Sequence, residues 1–228
     1  MKRIFTLTLL FLVAFVGISY SQPTCGFDQV HQERMRNDPQ YRKNILQQQE
    51  QVKQYIQKNK SWLTTRSNAP QAPLYTIPVV VHVIHTGGAV GSIYNPTDAQ
   101  IQNTIAYLNA VYNGSYPGTE GIGDLQLQFV LAQRDPNCNP TNGINRIDGS
   151  SVAEYATDGV ERQTTSGTAE INIKNLSRWS NTQYYNIWVV NKIDGNDGTS
   201  GSFVAGYAYF PGAGATVDGT VMLSLIHI

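Results

Sequence analysis

The chain reads as a mixed α/β (α+β) fold: a mixed sheet backed by helices. Three observations predict it. Two runs rich in β-branched and aromatic residues, Leu74 to His85 and Tyr184 to Asn191, have the unbroken apolar character of strands buried on both faces. Between them stands a capped amphipathic helix. Several shorter strand patterns follow, so helix and strand segments share one layered unit.

The elements come in order. Met1-Lys2-Arg3 is a short basic start, and Ile4 to Ile18 is almost continuously apolar. Small residues at Ser19 and Ser21 suit cleavage before Gln22, so residues 1–21 read as a secretory signal peptide. The run is shorter than the roughly 20 residues that span a bilayer, and no later segment is apolar enough to span one. Residues 22–73 are polar, rich in Gln, Asn, Lys and Arg. Met35, Tyr41, Ile45, Leu46, Val52 and Ile56 form a thin stripe suited to one or two helices. Ser67 to Pro73 is a Pro-containing linker. A weakly apolar segment between a signal peptide and a linker suggests a pro-segment; a surface helical hairpin of the main domain is the alternative.

The main domain spans 74–222. Its first strand ends at Gly87-Gly88. Thr97-Asp98-Ala99-Gln100 is a capping box, and Ile101, Ile105, Leu108 and Tyr112 follow at helical spacing, which predicts a helix of about four turns. Leu125 to Leu131 alternates as a half-buried strand. Asp135-Pro136-Asn137 and Asn142-Gly143 are turns, and Ser150 to Thr168 has no clear period. Gly206 to Phe210 is a short strand stopped by Pro211, placed at a sheet edge, and Thr220-Val221-Met222 starts one more.

Composition excludes several classes. Lys plus Arg and Asp plus Glu number 16 each, so the formal charge is zero and no basic footprint for nucleic acid exists. Two cysteines cannot make a disulfide-dense scaffold. Catalytic patterns are equally sparse. His82 and His85 stand three apart on a strand, so they point to opposite faces and cannot share an ion. His31 lies in the polar segment, and no His-Glu-x-x-His occurs. Gly198-Thr199-Ser200-Gly201-Ser202 is not a nucleophile elbow, and Gly212-Ala213-Gly214-Ala215 lacks the Lys of a phosphate loop. Asp194, Asp197 and Asp218 lack the spacing of an EF-hand. Cys25 and Cys138, in an exported chain, can pair.

Five stretches, taken in register, carry a resemblance. They are Cys25 to His31; Ile77 to His85; Ala132 to Pro136 with Pro140 to Ile144; Tyr185 to Val190; and Ala205 to Pro211. In this order the chain resembles secreted bacterial zinc metalloproteases of the pappalysin (cytophagalysin) family, a branch of the metzincins. The resemblance implies the upper lobe of a two-lobed catalytic domain, with zinc as cofactor, room for calcium, and proteins or peptides as substrates. It implies that the strand Gly206, Tyr207, Ala208, Tyr209 and Phe210, antiparallel to the rest, binds extended substrate by strand addition. It also implies that the zinc helix, His-Glu-x-x-His-x-x-Gly-x-x-His, lies beyond Met222, so the chain as written is expected to be inactive. Cys25, within Thr24-Cys25-Gly26, matches the pro-segment cysteine whose thiolate blocks the metal; the disulfide with Cys138 stays open beside it. Residues 223–228 depart from the family. They translate CTG-TCT-CTT-ATA-CAC-ATC, a sequencing-library adaptor, and are expected to be an artefact rather than a natural end. An exported non-enzymatic binding module, using the tyrosine-rich stretches Tyr184, Tyr185, Tyr207 and Tyr209, is the other reading.

Overall fold

The computed structural model describes residues 24–25, 27–60, 74–118, 123–209 and 213–224. The segments expected to be a signal peptide (1–21) and a linker (Ser67 to Pro73), together with Phe210, His227 and the rest of 225–228, lie outside the described residues. The sheet grows from its longest strand. β1 is Thr24–Cys25, and β2 is Tyr75–His85, 11 residues long because it serves two partners on one side. β3 (Leu127–Leu131) pairs with Tyr75 to Val79 of it, and β4 (Ile144–Asp148) with Val81 to His85, both parallel. On its other side β2 pairs in parallel with β5 (Tyr185–Val190). β7 (Thr220–Leu223) runs parallel to β5, and β6 (Val204–Ala208) then turns antiparallel against β7. The order is β1-β6-β7-β5-β2-β3, with β4 beside β3 on β2. The sheet is therefore mixed: β6, and β1 parallel to it, run antiparallel to the other described strands.

Alternation along β2 sorts the core into two layers. Val79, Val81 and Val83 face α3 (Asp98–Tyr112) and pack on Ile101 and Ile105. The other face carries His82 and Ile84, and Ile84 packs with Tyr155, Ile173, Trp188 and Leu223. The capping box of α3 forms as the sequence predicts: the Gln100 N–H donates to Thr97 Oγ1 at 3.2 Å, and the Thr97 N–H to Gln100 Oε1 at 2.8 Å. The polar N-terminal segment forms α1 (Phe27–Asn37) and α2 (Pro39–Lys58), capped by Asp38, whose Oδ1 accepts from the Tyr41 N–H at 2.9 Å.

Three elements were not legible in the sequence. β4 follows directly on the Asn142-Gly143 turn. Gly143 is at φ +74, and a Cβ there would meet the Ala132 nitrogen at 2.6 Å, so only glycine lets β3 hand over to β4 along β2. α4 (Tyr155–Asp158) and α5 (Glu170–Lys174) are too short for periodicity to register. Tertiary bonds hold α4: Tyr155 Oη donates to the Ile84 carbonyl at 2.6 Å, and Asn191 Nδ2 to the Tyr155 carbonyl at 2.9 Å. Leu223 continues β7 opposite Val190 and is fully buried, and Ser224 Oγ donates to the Ile93 carbonyl at 2.9 Å.

Candidate functional site

β6 ends the sheet of the main domain, as the edge placement predicts, but its edge is covered. β1 lies parallel to it, with Thr24 opposite Val204 and Cys25 opposite Gly206. Gly206 is required by close packing from the other side. A Cβ would sit 2.7 Å from the Val221 carbonyl oxygen and 3.2 Å from Met222 Cα, both backbone atoms of β7. Cys25 and Gly206 thus meet at one register position, although 181 residues apart by their numbers.

The tyrosines of this strand correct the aromatic-face expectation. Tyr207 and Tyr209 are 3% and 6% exposed and point into the core, not outward. Tyr184 and Tyr185 are half-buried, with hydroxyls bonded to the Arg134 carbonyl at 3.1 Å and to Thr220 Oγ1 at 2.6 Å. What β6 offers a partner is backbone.

Behind β6 the tyrosines meet a buried polar cluster. Lys174 is fully buried; its Nζ donates to the Val217 carbonyl at 2.6 Å and pairs with Glu170 Oε2 at 3.3 Å. Burial pushes the Lys174 ammonium below its ordinary range, and the Glu170 carboxylate works against that. Tyr209 Oη donates to Glu170 Oε1. Burial, and then the neighbouring Glu170 charge, raise the Tyr207 and Tyr209 phenols. Arg162 lies 4.9 Å over the Tyr207 ring and donates to Tyr209 Oη at 3.3 Å. A polar cavity of about 590 Å³, lined by Glu33, Arg34, Arg162, Thr164 and Glu170 among others, separates α1 from the loop before α5.

The remaining candidates do not gather. His82 is fully buried: its Nε2 lies 2.9 Å from Asn186 Oδ1, its Nδ1 lies 3.3 Å from Asn145 Nδ2, and its ring stacks on Trp188 at 5.2 Å. Burial lowers its pKa from 6.5 to about 4, against the Asn186 bond, so it is a neutral core group. His85 Nδ1 accepts from the Gly87 N–H at 3.0 Å on the opposite face, and His31 bonds Tyr41 Oη at 3.1 Å. Asp194 staples a loop, accepting from the Arg162 N–H at 2.7 Å and the Gln163 N–H at 2.9 Å. Asp197 accepts from Tyr94 Oη at 3.0 Å, and Asp218 from Asn181 Nδ2 at 2.9 Å. These three aspartates serve separate turns. Cys138 is exposed and free, so it makes no disulfide with Cys25 in this structure. Among the described residues no three His, Cys, Asp or Glu side chains converge to hold a metal ion, so these residues do not by themselves fit a zinc centre.

A mostly parallel sheet between helical layers, with the antiparallel β6 as the last strand of the main domain, is the metzincin fold. Within that class the chain is similar to a point mutant of promirolysin from Tannerella forsythia: TM-score 0.58, 29% identity, over 88% of this chain and 59% of that one. It also aligns with mature Tannerella forsythia mirolysin in complex with a cleaved peptide (31% identity, TM-score 0.49, 68% and 54% of the two chains). Mirolysin in complex with compound 9 aligns at 30% identity and TM-score 0.48, over 67% and 53%. The chain therefore spans about 59% of the length of that promirolysin. No protein-family profile matches the chain, and no curated protein matches it.

Proposed function

We propose that this chain is the signal peptide (1–21), pro-segment (22–73) and upper catalytic lobe (74–222) of a secreted zinc metalloendopeptidase of the pappalysin family. The observation that carries the reading is β1 seated on the antiparallel edge β6, in a fold similar to promirolysin across 88% of this chain. An edge strand presents unpaired N–H and C=O groups, which is what an extended peptide needs in order to bind by strand addition. In the proenzyme β1 occupies that edge; after its removal, Gly206 to Phe210 would hold the substrate backbone. Cys25, aligned with Gly206, is the residue of the pro-segment that would block the metal, and Cys138, free and exposed, does not trap it here. Zinc ligands and the general base would come from sequence following Met222, with Leu223 to Ile228 as adaptor-derived residues. Among the described residues no helix is long and apolar enough to cross a membrane.

The test is to sequence the locus downstream of the Met222 codon. A His-Glu-x-x-His-x-x-Gly-x-x-His pattern within a few tens of codons is the expected result. A genomic Leu223 to Ile228 followed by a stop codon would overturn the reading.

A further inference from the structure

Arg34 joins the N-terminal segment to the main domain through several contacts at once. Its guanidinium lies 4.4 Å from the centroid of the Tyr209 ring, with the Tyr41 ring at 6.0 Å. Its Nη2 is 3.4 Å from Tyr209 Oη and 3.7 Å from Glu170 Oε1. Glu170 divides its carboxylate: Oε1 faces Arg34 and the Tyr209 hydroxyl, and Oε2 faces the buried Lys174. A planar cation that stacks on a ring and points N–H groups at a carboxylate fits this seat. A lysine would lose the stacking and the fork of donors.

Charge pairing across the interface points the same way. The main domain supplies two cations, Arg162 and Lys174, and two carboxylates, Glu170, beside Lys174, and Asp218, whose charge also reaches Lys174. The N-terminal segment brings Arg34, Glu33 at 3.9 Å from Arg162, and Asp38 at 3.7 Å from Arg34. Docked, Arg34 faces Glu170 and Arg162 faces Glu33, so each arginine has a carboxylate across the interface. Consecutive residues Glu33 and Arg34 thus meet charges of the opposite sign on the domain.

We propose that Tyr209 and Glu170 form a guanidinium seat, that Arg34 is its occupant, and that this seat latches the N-terminal segment to the domain independently of Cys25. The latch holds α1 at the end of the edge strand that β1 covers, so β1 is held both by its pairing with β6 and by its following helix. A consequence for latency rests on the protease reading above: cutting the linker Ser67 to Pro73 would not by itself free the edge, because the segment would stay bound until the seat empties.

The latch is tested without zinc or activity, by hydrogen exchange on the full chain. The readout is the amides of residues 31–38 in wild type, Arg34→Ala, Arg34→Lys, Arg36→Ala and Cys25→Ser. Alanine favours helix more than most residues, so faster exchange in Arg34→Ala reports lost docking rather than lost helicity. Removing a stacked, half-desolvated cation should speed exchange by about ten-fold, with Arg34→Lys between it and wild type. Arg36→Ala removes the same charge from an exposed site of the same helix and should leave exchange unchanged, as should Cys25→Ser. Equal exchange in Arg34→Ala and wild type, an equal effect from Arg36→Ala, or a wild-type α1 that exchanges like an unfolded peptide would each overturn the latch. None of these outcomes depends on finding a zinc motif downstream, so the latch and the protease reading can fail separately.

Discussion

His82 makes the stability of this domain depend on pH in a window that can be computed. In the unfolded chain its imidazole titrates near 6.5, and in the folded chain near 4, because burial on the Trp188 face leaves no water to solvate the cation. The lowered value means that the unfolded state binds the proton more tightly. Stability from this group is therefore fully present above pH 6.5 and is lost as pH falls from 6.5 towards 4. The difference is roughly two and a half decades of proton affinity, at about 1.4 kcal/mol per decade, so the full effect is about 3 kcal/mol. Between pH 7.5 and 4.5 the loss should be about 2.5 kcal/mol. The neighbours add a geometric reason. With Nε2–H donating to Asn186 Oδ1, Nδ1 is left to accept from Asn145 Nδ2, and a proton on Nδ1 would set two donors face to face. The assay is urea denaturation of wild type and His82→Gln at both pH values. Carboxylates titrate alike in the two proteins, so the pH-dependent difference between them isolates His82. If both proteins lose the same stability between pH 7.5 and 4.5, the burial argument is wrong.

Three more substitutions test the packing. Asn186→Leu removes the acceptor of the Trp179 backbone N–H (3.0 Å) and the partner of His82 (2.9 Å), and should cost about 2–3 kcal/mol in urea unfolding at neutral pH because the buried His82 Nε2 and the half-buried Trp179 N–H both lose their partner. Gly206→Val drives a side chain into the Val221 carbonyl and Met222 Cα of β7, which two strands hold in place; unfolding measurements should show a loss of about 1–3 kcal/mol, and hydrogen exchange a loosened β1. Cys138 sits at φ 65 in an exposed turn, the left-handed region that costs a side chain about 1 kcal/mol. Cys138→Gly should leave the melting temperature unchanged or raise it by a few degrees; a clear fall would mean that the thiol has a partner.

Some of this protein was legible in its sequence because it is local. The capping box at Thr97 and Gln100 needs only four residues to specify its two reciprocal bonds. The β-branched run from Val79 to Ile84 announces a strand with two buried faces, since nearly every residue in it is apolar. The opposite placement of His82 and His85 follows from the two-residue period of a strand. The resemblance carried by Ala205 to Pro211 predicted one antiparallel edge strand, and β6 is that strand. What only the tertiary structure decided is which of these surfaces meet. Tyr207 and Tyr209 read as a binding face because aromatic residues suit either an interface or a core, and composition does not separate the two. They are buried because Arg162, Lys174 and Glu170 close over them from segments 30 to 50 residues away. Neither α5 nor β4 repeats often enough to show a period, so their positions come from bonds made across the sheet. Arg34 and Glu170, like Cys25 and Gly206, are distant in sequence and unremarkable in composition. A side chain's local pattern tells how much of it is buried, whereas its partner is set by chain topology, which brings together residues that no local window contains.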